Sequence, residues 1–270
     1  MAPEDRGFLI LCGHHPVAET LRRDPRRVDE LLLEREPRTW ATEILALARQ
    51  AGVRWARVDR GVLTQLAGTS HHQGVVARVA AWTYASIDEL LAIPATRGEA
   101  ALFLVLDQIQ DAGNVGNLLR SAEALGVHGV VLPRHHAAGL TAHVAKAAAG
   151  ALEHLPVARV GNLGQTLGVL KRVGCWVIGT SATAREARPP WAVDLRGPVA
   201  LVLGSEERGL RPLVARSCDE VVRIPMAGRV GSLNVAAAGA ALVYEAARQR
   251  ATGPPGQARR KSIDIAGSRE

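Results

Sequence analysis

The sequence predicts an α/β protein in which a parallel sheet carries helices on both faces and follows a smaller α/β unit. Three observations predict this fold class. Short apolar runs of strand length alternate with segments whose apolar residues repeat at helical spacing. Glycines end several of the helical segments. The chain has 270 residues, 47% hydrophobic and 22% charged, which is enough for one large or two ordinary domains without disulfide support.

Residues 1–82 are expected to form the smaller unit, because strand and helix candidates alternate there. The apolar residues of the segment 39–51 have helical spacing, and Gly52 ends it. The segment 28–33, with Val28 and Leu31–Leu33 as its apolar residues, suits a helix as well as a strand. The strand candidates are Phe8–Cys12, Val28–Leu33, Val53–Val58 and Val75–Ala80, and the helix candidates are Pro16–Leu21, Thr39–Ala51 and Val62–Ala67.

A linker is expected over residues 83–98, where Ser86 has the spacing of a helix cap before one short helix. Residues 99–250 are predicted to form the parallel sheet and its helices. The strand candidates are Ala101–Leu106, Val130–Leu132, Cys175–Gly179, Val199–Leu203 and Val221–Ile224, and the helix candidates are Asn114–Leu125, Thr141–Ala149, Gln165–Val173 and Asn234 to about Arg248. Residues 251–270 are basic and contain a glycine–proline cluster, so we expect a disordered tail.

The charge balance and the cysteine pattern exclude several protein classes. Lys and Arg number 33 against 26 Asp and Glu, a net charge of +7 that attracts polyanions such as RNA. No apolar run approaches the ~20 residues of a membrane span, and acids among the first six residues do not fit a signal peptide. Three cysteines without metal-ligand spacing predict buried thiols in a reducing compartment. We therefore expect a cytoplasmic protein without a metal or a membrane partner.

Polar segments that contain glycine follow the predicted strands, at the edge where parallel sheets bind ligands. In the first, residues 107–120, Asn114 is predicted to cap a helix that carries Asn117 and Arg120 on one face. A helix N-terminus favours anions, and Arg120 can bind a phosphate through two donors. A capped helix with a solvated arginine is the alternative.

The second segment, residues 203–210, turns at Gly204 and Gly209, where glycine permits a positive φ and a close approach of backbone to ligand. Adjacent Glu206 and Glu207 would point in opposite directions in an extended backbone. At most one of them is therefore expected to face the site. An ordinary charged turn is the alternative for this segment.

The third segment, residues 224–236, is an apolar loop with glycines that leads into a helix start at Ser232 and Asn234. The helix that follows has almost no side-chain bulk over residues 236–241. Small residues let another backbone approach closely, so this face predicts a tight intramolecular or dimer contact. A well-packed helix without such a role is the alternative.

Several common sites are excluded. The sequence has no GxGxxG after a strand, no GxxxxGK[ST] and no GxSxG, so it lacks the fingerprints of dinucleotide-binding folds, P-loop NTPases and α/β-hydrolases. The three His-His pairs, at 14–15, 71–72 and 135–136, lack HExxH spacing and do not predict a metal site. The loop at His72 either contacts RNA or forms a solvated turn.

In their order and spacing, the three segments resemble the signature of the SPOUT superfamily of RNA methyltransferases, in its ribose 2′-O branch, the TrmH/RlmB type. The motifs are NVGNLLR at 114–120, LGSEERGL at 203–210, and IPM at 224–226 with SLNV at 232–235. The resemblance covers residues 101–248. Residues 13–21 and 72–77 also resemble the RNA-binding domain, similar to ribosomal protein L30e, that precedes the catalytic domain in the RlmB type.

This resemblance implies a C-terminal trefoil knot that holds S-adenosylmethionine, an obligate homodimer, and an L30e-like domain at residues 1–82. Arg120 would act on the ribose hydroxyl. A guanidinium holds its proton strongly, so it suits a cation that stabilises developing charge better than it suits a base. The implied residues are Arg120, Asn117, Glu206 and Asn234 for catalysis, Thr180, Leu203, Gly204, Gly209, Ile224, Met226, Ser232 and Leu233 for the cofactor, and Asn114, Arg208, Arg229, His14 and His72 for RNA.

The resemblance therefore predicts a methyltransferase that acts on a ribose 2′-hydroxyl in RNA. The expected target is a guanosine of 23S ribosomal RNA, because the tRNA-modifying TrmH type lacks the N-terminal domain. Three alternatives stay open: an adenosine 2′-O-methyltransferase of the antibiotic-resistance type, a tRNA 2′-O-methyltransferase, and a non-catalytic RNA-binding protein associated with the ribosome.

Overall fold

A computed structural model describes residues 7–36, 39–184 and 186–252, which contain two separate β-sheets. The tail predicted to be disordered lies outside the described residues, except for its first two residues, which continue the last helix. No helix in the described ranges is long and apolar enough to cross a membrane.

The first sheet has four strands and lies in the N-terminal part of the chain. Its order is β1-β4-β2-β3, with β4 antiparallel to β1 and β2, and β2 parallel to β3. The run at 28–33, for which the sequence left helix and strand open, is a strand. The elements are β1 (Phe8–Cys12), α1 (His14–Arg23), β2 (Val28–Glu34), α2 (Ala41–Gln50), β3 (Arg54–Val58), α3 (Arg60–Ala67) and β4 (Val75–Ala80).

One helix, α4 (Ile87–Arg97), separates the two sheets along the chain. The Ser86 hydroxyl accepts from the Glu89 backbone N–H at 3.2 Å, and the Glu89 carboxylate accepts from the Ser86 N–H at 2.6 Å. This reciprocal pair is a capping box, and it satisfies two donors that the first helical turn would leave open. The predicted cap and short helix are confirmed.

The second sheet has six strands, and every neighbouring pair is parallel, as the sequence predicted. Its order is β10-β8-β9-β5-β6-β7, so β9 lies at the centre beside β5 although it comes late in the chain. The strands are β5 (Leu102–Asp107), β6 (Gly129–Pro133), β7 (Val157–Val160), β8 (Trp176–Thr180), β9 (Val199–Gly204) and β10 (Glu220–Val222). The helices are α5 (Ala112–Ala124), α6 (Ala142–Ala148), α7 (Leu163–Arg172), α8 (Pro212–Arg216) and α9 (Val235–Thr252).

Helices cover both faces of this sheet. Successive side chains of a strand point to opposite faces. In β5, Leu102, Leu104 and Leu106 belong to a core cluster shared with α5, α6 and α9. Phe103 and Val105 belong to a second cluster shared with α4, α7 and α8. The predicted arrangement of a parallel sheet between two helical layers is confirmed.

The sequence did not predict β7 and α8. The strand β7 is an edge strand of four residues, and exposed Arg159 interrupts its apolar run. The helix α8 is five residues long and follows Arg211, with Pro212 at its first position. Neither element is long enough to show the periodicity on which the sequence analysis depends.

The start of α5 also differs from the prediction. Asp111, not Asn114, is the N-cap residue, because the Asp111 carboxylate accepts from the Asn114 backbone N–H at 2.6 Å. Asp and Asn are equally good caps, so local sequence could not choose between them. As a result, Asn114 lies in the first turn, where its side chain is available to the loops around it.

Candidate active site

A cavity of about 560 Å³ opens at the carboxyl ends of β8, β9 and β10. Its walls come from the segments that follow these strands, as expected for a parallel sheet. The cavity brings together every residue that the sequence assigned to cofactor binding, namely Thr180, Leu203, Gly204, Gly209, Ile224, Met226, Ser232 and Leu233. We call it the first cavity.

The loop after β9 is closed by two backbone hydrogen bonds between Ser205 and Gly209, at 3.2 and 2.9 Å. Gly209 has φ +64°, a conformation that glycine adopts without strain. A Cβ atom at Gly204 would overlap the backbone of Gly209 and Leu210, so close packing requires glycine there. The predicted positive φ is therefore found at Gly209, whereas Gly204 is required by the close approach of the protein's own backbone.

The floor of the first cavity is apolar. Leu203 at the end of β9 is 1% exposed and packs beneath α9 at Gly239, where a Cβ would lie 2.6 Å from the Leu203 Cδ1. Thr180 donates from its hydroxyl to the Val202 carbonyl at 3.1 Å and so stays fixed at the end of β8. The small face of α9 thus makes a tight intramolecular contact, which is one of the two contacts predicted for it.

Three side chains from three segments meet at the edge of the first cavity. Asn234 donates from Nδ2 to the Glu206 Oε1 at 2.7 Å and to the Asn114 Oδ1 at 2.9 Å. Asn114 donates to the same Glu206 oxygen at 3.2 Å, and the Val235 backbone N–H donates to it at 3.1 Å. The Asn234 Oδ1 accepts from the Ala236 N–H at 2.9 Å and starts α9. The carboxylate therefore joins the loop after β9 to the first turns of two helices.

Glu207 behaves differently from its neighbour. Glu206 faces the two asparagines, whereas the Glu207 carboxylate makes no hydrogen bond or ion pair with any residue of the described ranges. Both residues nevertheless line the first cavity, so the expectation that at most one of them faces the site is not confirmed.

Arg120 and Asn117 do not reach the cavity of their own chain. Both are exposed on α5, and the lining of the first cavity includes neither of them. Arg120 lies six residues beyond Asn114, which is about 9 Å along a helix axis. Among the described residues its guanidinium has no ion-pair partner. The structure therefore brings Glu206, Asn234 and Asn114 together but leaves Arg120 and Asn117 on the surface.

The residues assigned to RNA fall into different environments. Arg208 lines the first cavity, and Arg229 is exposed in the loop before α9. The His14 ring stacks on Trp40 at 5.2 Å, and its side chain is 21% exposed.

The assignment of His72 to RNA binding was wrong for this structure. His72 is 0% exposed, its Nδ1 accepts from the Gly74 N–H at 3.0 Å, and its Nε2 lies 3.1 Å from the Thr64 hydroxyl. The ring holds its loop together from the inside, and it is not accessible to RNA.

Two features of this edge of the sheet were not predicted from the sequence. Asp107 at the end of β5 is 0% exposed and accepts from the Arg211 N–H at 2.9 Å and from its Nε at 2.7 Å. This ion pair ties the segment after β9 to β5. The loop at 181–184 also lines the first cavity. The sequence contained a signal for each feature. Asp107 is an acid at the end of a buried strand, and the Ser/Thr cluster at 181–183 directly follows β8.

The cysteines are not candidates for catalysis. Burial raises the pKa of Cys175 and of Cys218 to about 11, and it also raises the pKa of Cys12. A thiol with a raised pKa carries little thiolate, which is the nucleophilic form. This fits the prediction of buried thiols, although Cys218 is only partly buried. In the ranges that the structure describes, no group of three His, Cys, Asp or Glu side chains could hold a metal ion.

Two family profiles match the chain in tandem. The SpoU rRNA Methylase family matches residues 101–244, a range that includes both helical layers and the first cavity. The RNA 2′-O ribose methyltransferase substrate binding family matches residues 10–85, which include the four-stranded sheet.

Known proteins resemble the chain over most of its length. The chain is 42% identical to the 23S rRNA (guanosine-2′-O-)-methyltransferase RlmB of Ralstonia nicotianae, over 91% of this chain and 97% of that protein. It is 43% identical to the RlmB of a Burkholderia species, over 89% and 96% of the two chains. The crystal structure of the SpoU methyltransferase AviRb from Streptomyces viridochromogenes, in complex with AdoMet, superimposes with a TM-score of 0.75 at 30% identity and covers 92% of each chain.

Proposed function

The chain belongs to the SpoU rRNA methylase family, and on that premise we propose that it transfers a methyl group from S-adenosylmethionine to the ribose 2′-hydroxyl of a guanosine in 23S ribosomal RNA. One observation carries the proposal for this chain. The eight residues assigned to the cofactor, seven from the second and third motifs and Thr180 from the end of β8, line a single cavity, and the Asn114–Glu206–Asn234 cluster stands at its edge.

The first cavity fits the cofactor in size and chemistry. Its volume of about 560 Å³ lies within the roughly 300–1,000 Å³ of small-molecule sites. Leu203, Ile224 and Leu233 offer apolar contact to an adenine ring. Carboxylates of the loop after β9 lie near the opening and would favour a cationic sulfonium. When bound, the cofactor supplies an electrophilic methyl group.

The protein's own contribution to the reaction is positioning and charge. An in-line displacement requires the ribose hydroxyl to approach opposite the leaving sulfur, so a fixed geometry contributes much of the acceleration. Asn114, Glu206 and Asn234 hold three segments in one arrangement where the hydroxyl must enter. A cationic guanidinium from Arg120 would stabilise the negative charge that develops on the oxygen and bind the adjacent phosphate.

We propose that this guanidinium reaches the site from a second copy of the chain. Arg120 is exposed and lies outside the cavity of its own chain, so a second chain is the available route. The outward side of α9 carries Ala237, Ala241 and Tyr244, which are exposed and spaced to form one stripe. Tyr244 is 59% exposed, and α9 packs beside α5, the helix that bears Arg120. A homodimer through this stripe would bury the apolar surface and complete both sites.

We also propose a trefoil knot within residues 199–250. Threading a chain through its own loop requires backbones to pass very close to each other, and this is unusual among folds. The passages at Gly204 and Gly239, where a Cβ would overlap neighbouring atoms, support this topology. The strand β9 comes late in the chain but lies between β8 and β5, and this order also supports a knot.

We assign a function to each of the predicted domains. Residues 1–82 would act as an L30e-like domain that binds RNA, residues 83–98 as a linker whose helix α4 packs on the second sheet, and residues 99–250 as the catalytic domain. Arg208, Arg229 and His14 are the proposed RNA contacts that stay partly accessible. A ribosomal RNA substrate supports a cytoplasmic location, and the proposed reaction uses no metal.

The test combines binding, transfer and mapping. Calorimetry with S-adenosylmethionine should show binding to the full chain. The protein is then incubated with labelled cofactor and an unmodified 23S transcript, and methylated riboses are mapped by their resistance to alkaline cleavage. We expect one guanosine to be labelled. Cofactor binding without transfer to any RNA would contradict the proposal, and a labelled adenosine or a labelled tRNA would favour the corresponding alternative.

A further inference from the structure

A second cavity of about 590 Å³ adjoins the first and shares with it the loop at Ser205–Arg208 and the residue Val235. Its remaining walls come from the segment after β5 and from His136 after β6. The lining is predominantly polar, in contrast to the apolar floor of the first cavity. A nucleoside placed here would have its ribose beside the cofactor, because the two cavities meet at the Glu206 cluster.

Most of the acidic side chains around the second cavity are already engaged. Asp111 caps α5 through the Asn114 N–H, and one oxygen of Glu206 accepts from two asparagine side chains and the Val235 N–H. Glu207 is exposed and accepts no hydrogen bond from the described part of the chain. It is therefore the carboxylate that is free to bind a ligand.

The backbone of the second cavity is fixed in an unusual form. Gln108 and His136, both in its lining, have φ values of +60° and +59°. Residues other than glycine adopt this region at a cost in free energy, and they are held there by the surrounding structure. The Ala138 N–H donates to the Ile109 carbonyl at 3.0 Å and joins the two strained segments. The walls are thus formed before a ligand enters.

We propose that the second cavity holds the target nucleoside and that the Glu207 carboxylate recognises guanine by its N1–H and its 2-amino group. This inference rests on the proposed methyltransferase activity and adds the residue that selects the base. Beside it, Arg208 lines the same cavity and supplies a cation for a flanking phosphate.

The chemistry of the four bases supports guanine as the target. An ionised carboxylate has acceptors only. Guanine presents two adjacent donors on its Watson–Crick edge, which match the two carboxylate oxygens. Adenine and cytosine each present a ring nitrogen lone pair beside an amine, and uracil presents one N–H between two carbonyls. For these three bases, at least one lone pair would face the carboxylate, and a buried polar group without a partner is costly.

The experiment compares three target bases in one RNA. A short hairpin that contains the mapped site is synthesised with guanosine, inosine or adenosine at the target, and kcat/KM is measured at saturating cofactor. Inosine lacks only the 2-amino group. We expect the wild-type protein to prefer guanosine over inosine by about 10- to 100-fold, the effect of one lost hydrogen bond to a charged group, and to methylate adenosine least.

The variant Glu207→Gln should change the order of the bases. Its amide can donate to the adenine N1 and accept from the adenine 6-amino group, while its own amine opposes one donor of guanine. We expect the guanosine rate to fall about 10- to 100-fold and the adenosine-to-guanosine ratio to rise. Asp88→Asn, an exposed acid-to-amide change in the first turn of α4, is the matched control and should leave both ratios unchanged.

The outcomes separate this inference from the activity on which it rests. A wild-type protein that methylates no ribose removes the proposed function, and the inference falls with it. A wild-type protein that methylates RNA while Glu207→Gln keeps its base preference overturns the inference alone. An equal loss on all three hairpins, or a loss explained by weaker cofactor binding in calorimetry, would also overturn it, because Glu207 would then act on the cofactor.

Discussion

Arg120 is proposed to act in the reaction, yet it lies outside the cavity of its own chain. Its guanidinium stands exposed on α5 without an ion-pair partner in the described ranges. A surface side chain with no contacts contributes little to folding, commonly within about 0.5 kcal/mol. A loss of methyl transfer on replacing Arg120 can therefore be attributed to a lost interaction with the substrate and not to a destabilised fold.

We predict that Arg120→Ala loses methyl transfer and keeps cofactor binding. Loss of one group that stabilises developing charge lowers kcat by about 10²- to 10³-fold. Transfer of labelled methyl groups to the 23S transcript measures the first effect, and calorimetry with S-adenosylmethionine measures the second. Arg172→Ala, an exposed arginine of α7, is the control. Turnover near the wild-type rate in Arg120→Ala would remove Arg120 from the reaction.

Arg120→Lys separates charge from geometry. Lysine keeps the positive charge but cannot bind an oxygen pair through two parallel donors. A variant with substantial residual activity would indicate that charge alone is required. Activity as low as that of the alanine variant would indicate that the planar, two-donor geometry matters.

His128 provides a prediction about stability. Burial lowers the pKa of His128, although Glu99 at 2.9 Å opposes the shift. The ring is 1% exposed, and its Nδ1 accepts from the Leu102 N–H at 3.1 Å, so that nitrogen is unprotonated in the fold. Below a pH of ~6.5 the unfolded chain binds a proton here that the folded chain does not bind. The free energy of unfolding should therefore fall as the pH falls, until the lower folded pKa is reached.

We predict that His128→Asn loses less stability on acidification than the wild-type protein. Thermal unfolding at pH values of about 7.5 and 5.5 measures the loss, and the difference between the two proteins is bounded by about 1.4 kcal/mol per pH unit. His71→Asn, a change at an exposed histidine, is the control. An identical pH dependence in His128→Asn and the wild-type protein would exclude this ring as the source.

At the scale of elements, α9 packs against the sheet at Gly239, where the helix has no side chain. Gly239 faces the side chains of Leu118 on α5 and Leu203 on β9, both 1% exposed. Leu203 is also part of the floor of the first cavity. A methyl group at position 239 would therefore strain the helix contact and displace the cavity wall together.

We predict that Gly239→Ala destabilises the protein by about 1–3 kcal/mol, because overpacked cores force side chains from their preferred rotamers. In a domain of 150–250 residues this corresponds to a fall in Tm of about 2–4 °C per kcal/mol. Affinity for S-adenosylmethionine should fall as well. Gly61→Ala in α3 is the matched control, since a Cβ there meets no atom within 4 Å and alanine favours a helix. Equal Tm values for both variants would contradict the packing argument.

At the scale of the whole molecule, a buried carboxylate joins the N-terminal part of the chain to the part that contains the second sheet. Glu153, with a side chain 3% exposed, accepts from Arg27 at 2.9 Å, from the Thr20 hydroxyl at 2.9 Å and from the Trp82 Nε1 at 3.0 Å. The Arg27 guanidinium also lies 4.6 Å from the Trp82 ring centre. These bonds connect the N-terminal part of the chain to the segment before β7, so an RNA bound by one part would be held in a defined position relative to the other.

The proposed dimer leads to a prediction about mixed chains. An Arg120→Ala chain keeps an intact cavity, and a Glu206→Ala chain keeps its arginine. If each site takes its cavity from one chain and its guanidinium from the other, a mixed dimer contains one competent site. Random re-association of the two inactive variants should then restore about a quarter of the wild-type activity.

Methyl transfer after mixing, denaturation and refolding measures this restoration. Each variant refolded alone is the control and should stay inactive. A mixture that also stays inactive, although ultracentrifugation shows dimers, would indicate that Arg120 acts within its own chain.

Much of the fold followed from local pattern. The apolar run of β9, the helical spacing of α2 and the cap at Ser86 are properties of neighbouring residues, and each element formed where its pattern predicted it. Edge strand β7 and the short α8 were missed, because four or five residues carry no clear period. The choice between Asp111 and Asn114 as a cap was also beyond local sequence, since both residues cap equally well.

The amino-acid sequence by itself determined the alternation of strands and helices, the glycines at the turns and the order of the three motifs, because spacing along the chain encodes these properties. Only the tertiary structure decided that Glu206 bonds Asn114 across 92 residues, that His72 is buried, and that Arg120 stands away from its own cavity. The reason is the strand order: with β9 between β8 and β5, distant loops meet at one edge of the sheet, and no local pattern records which strands become neighbours.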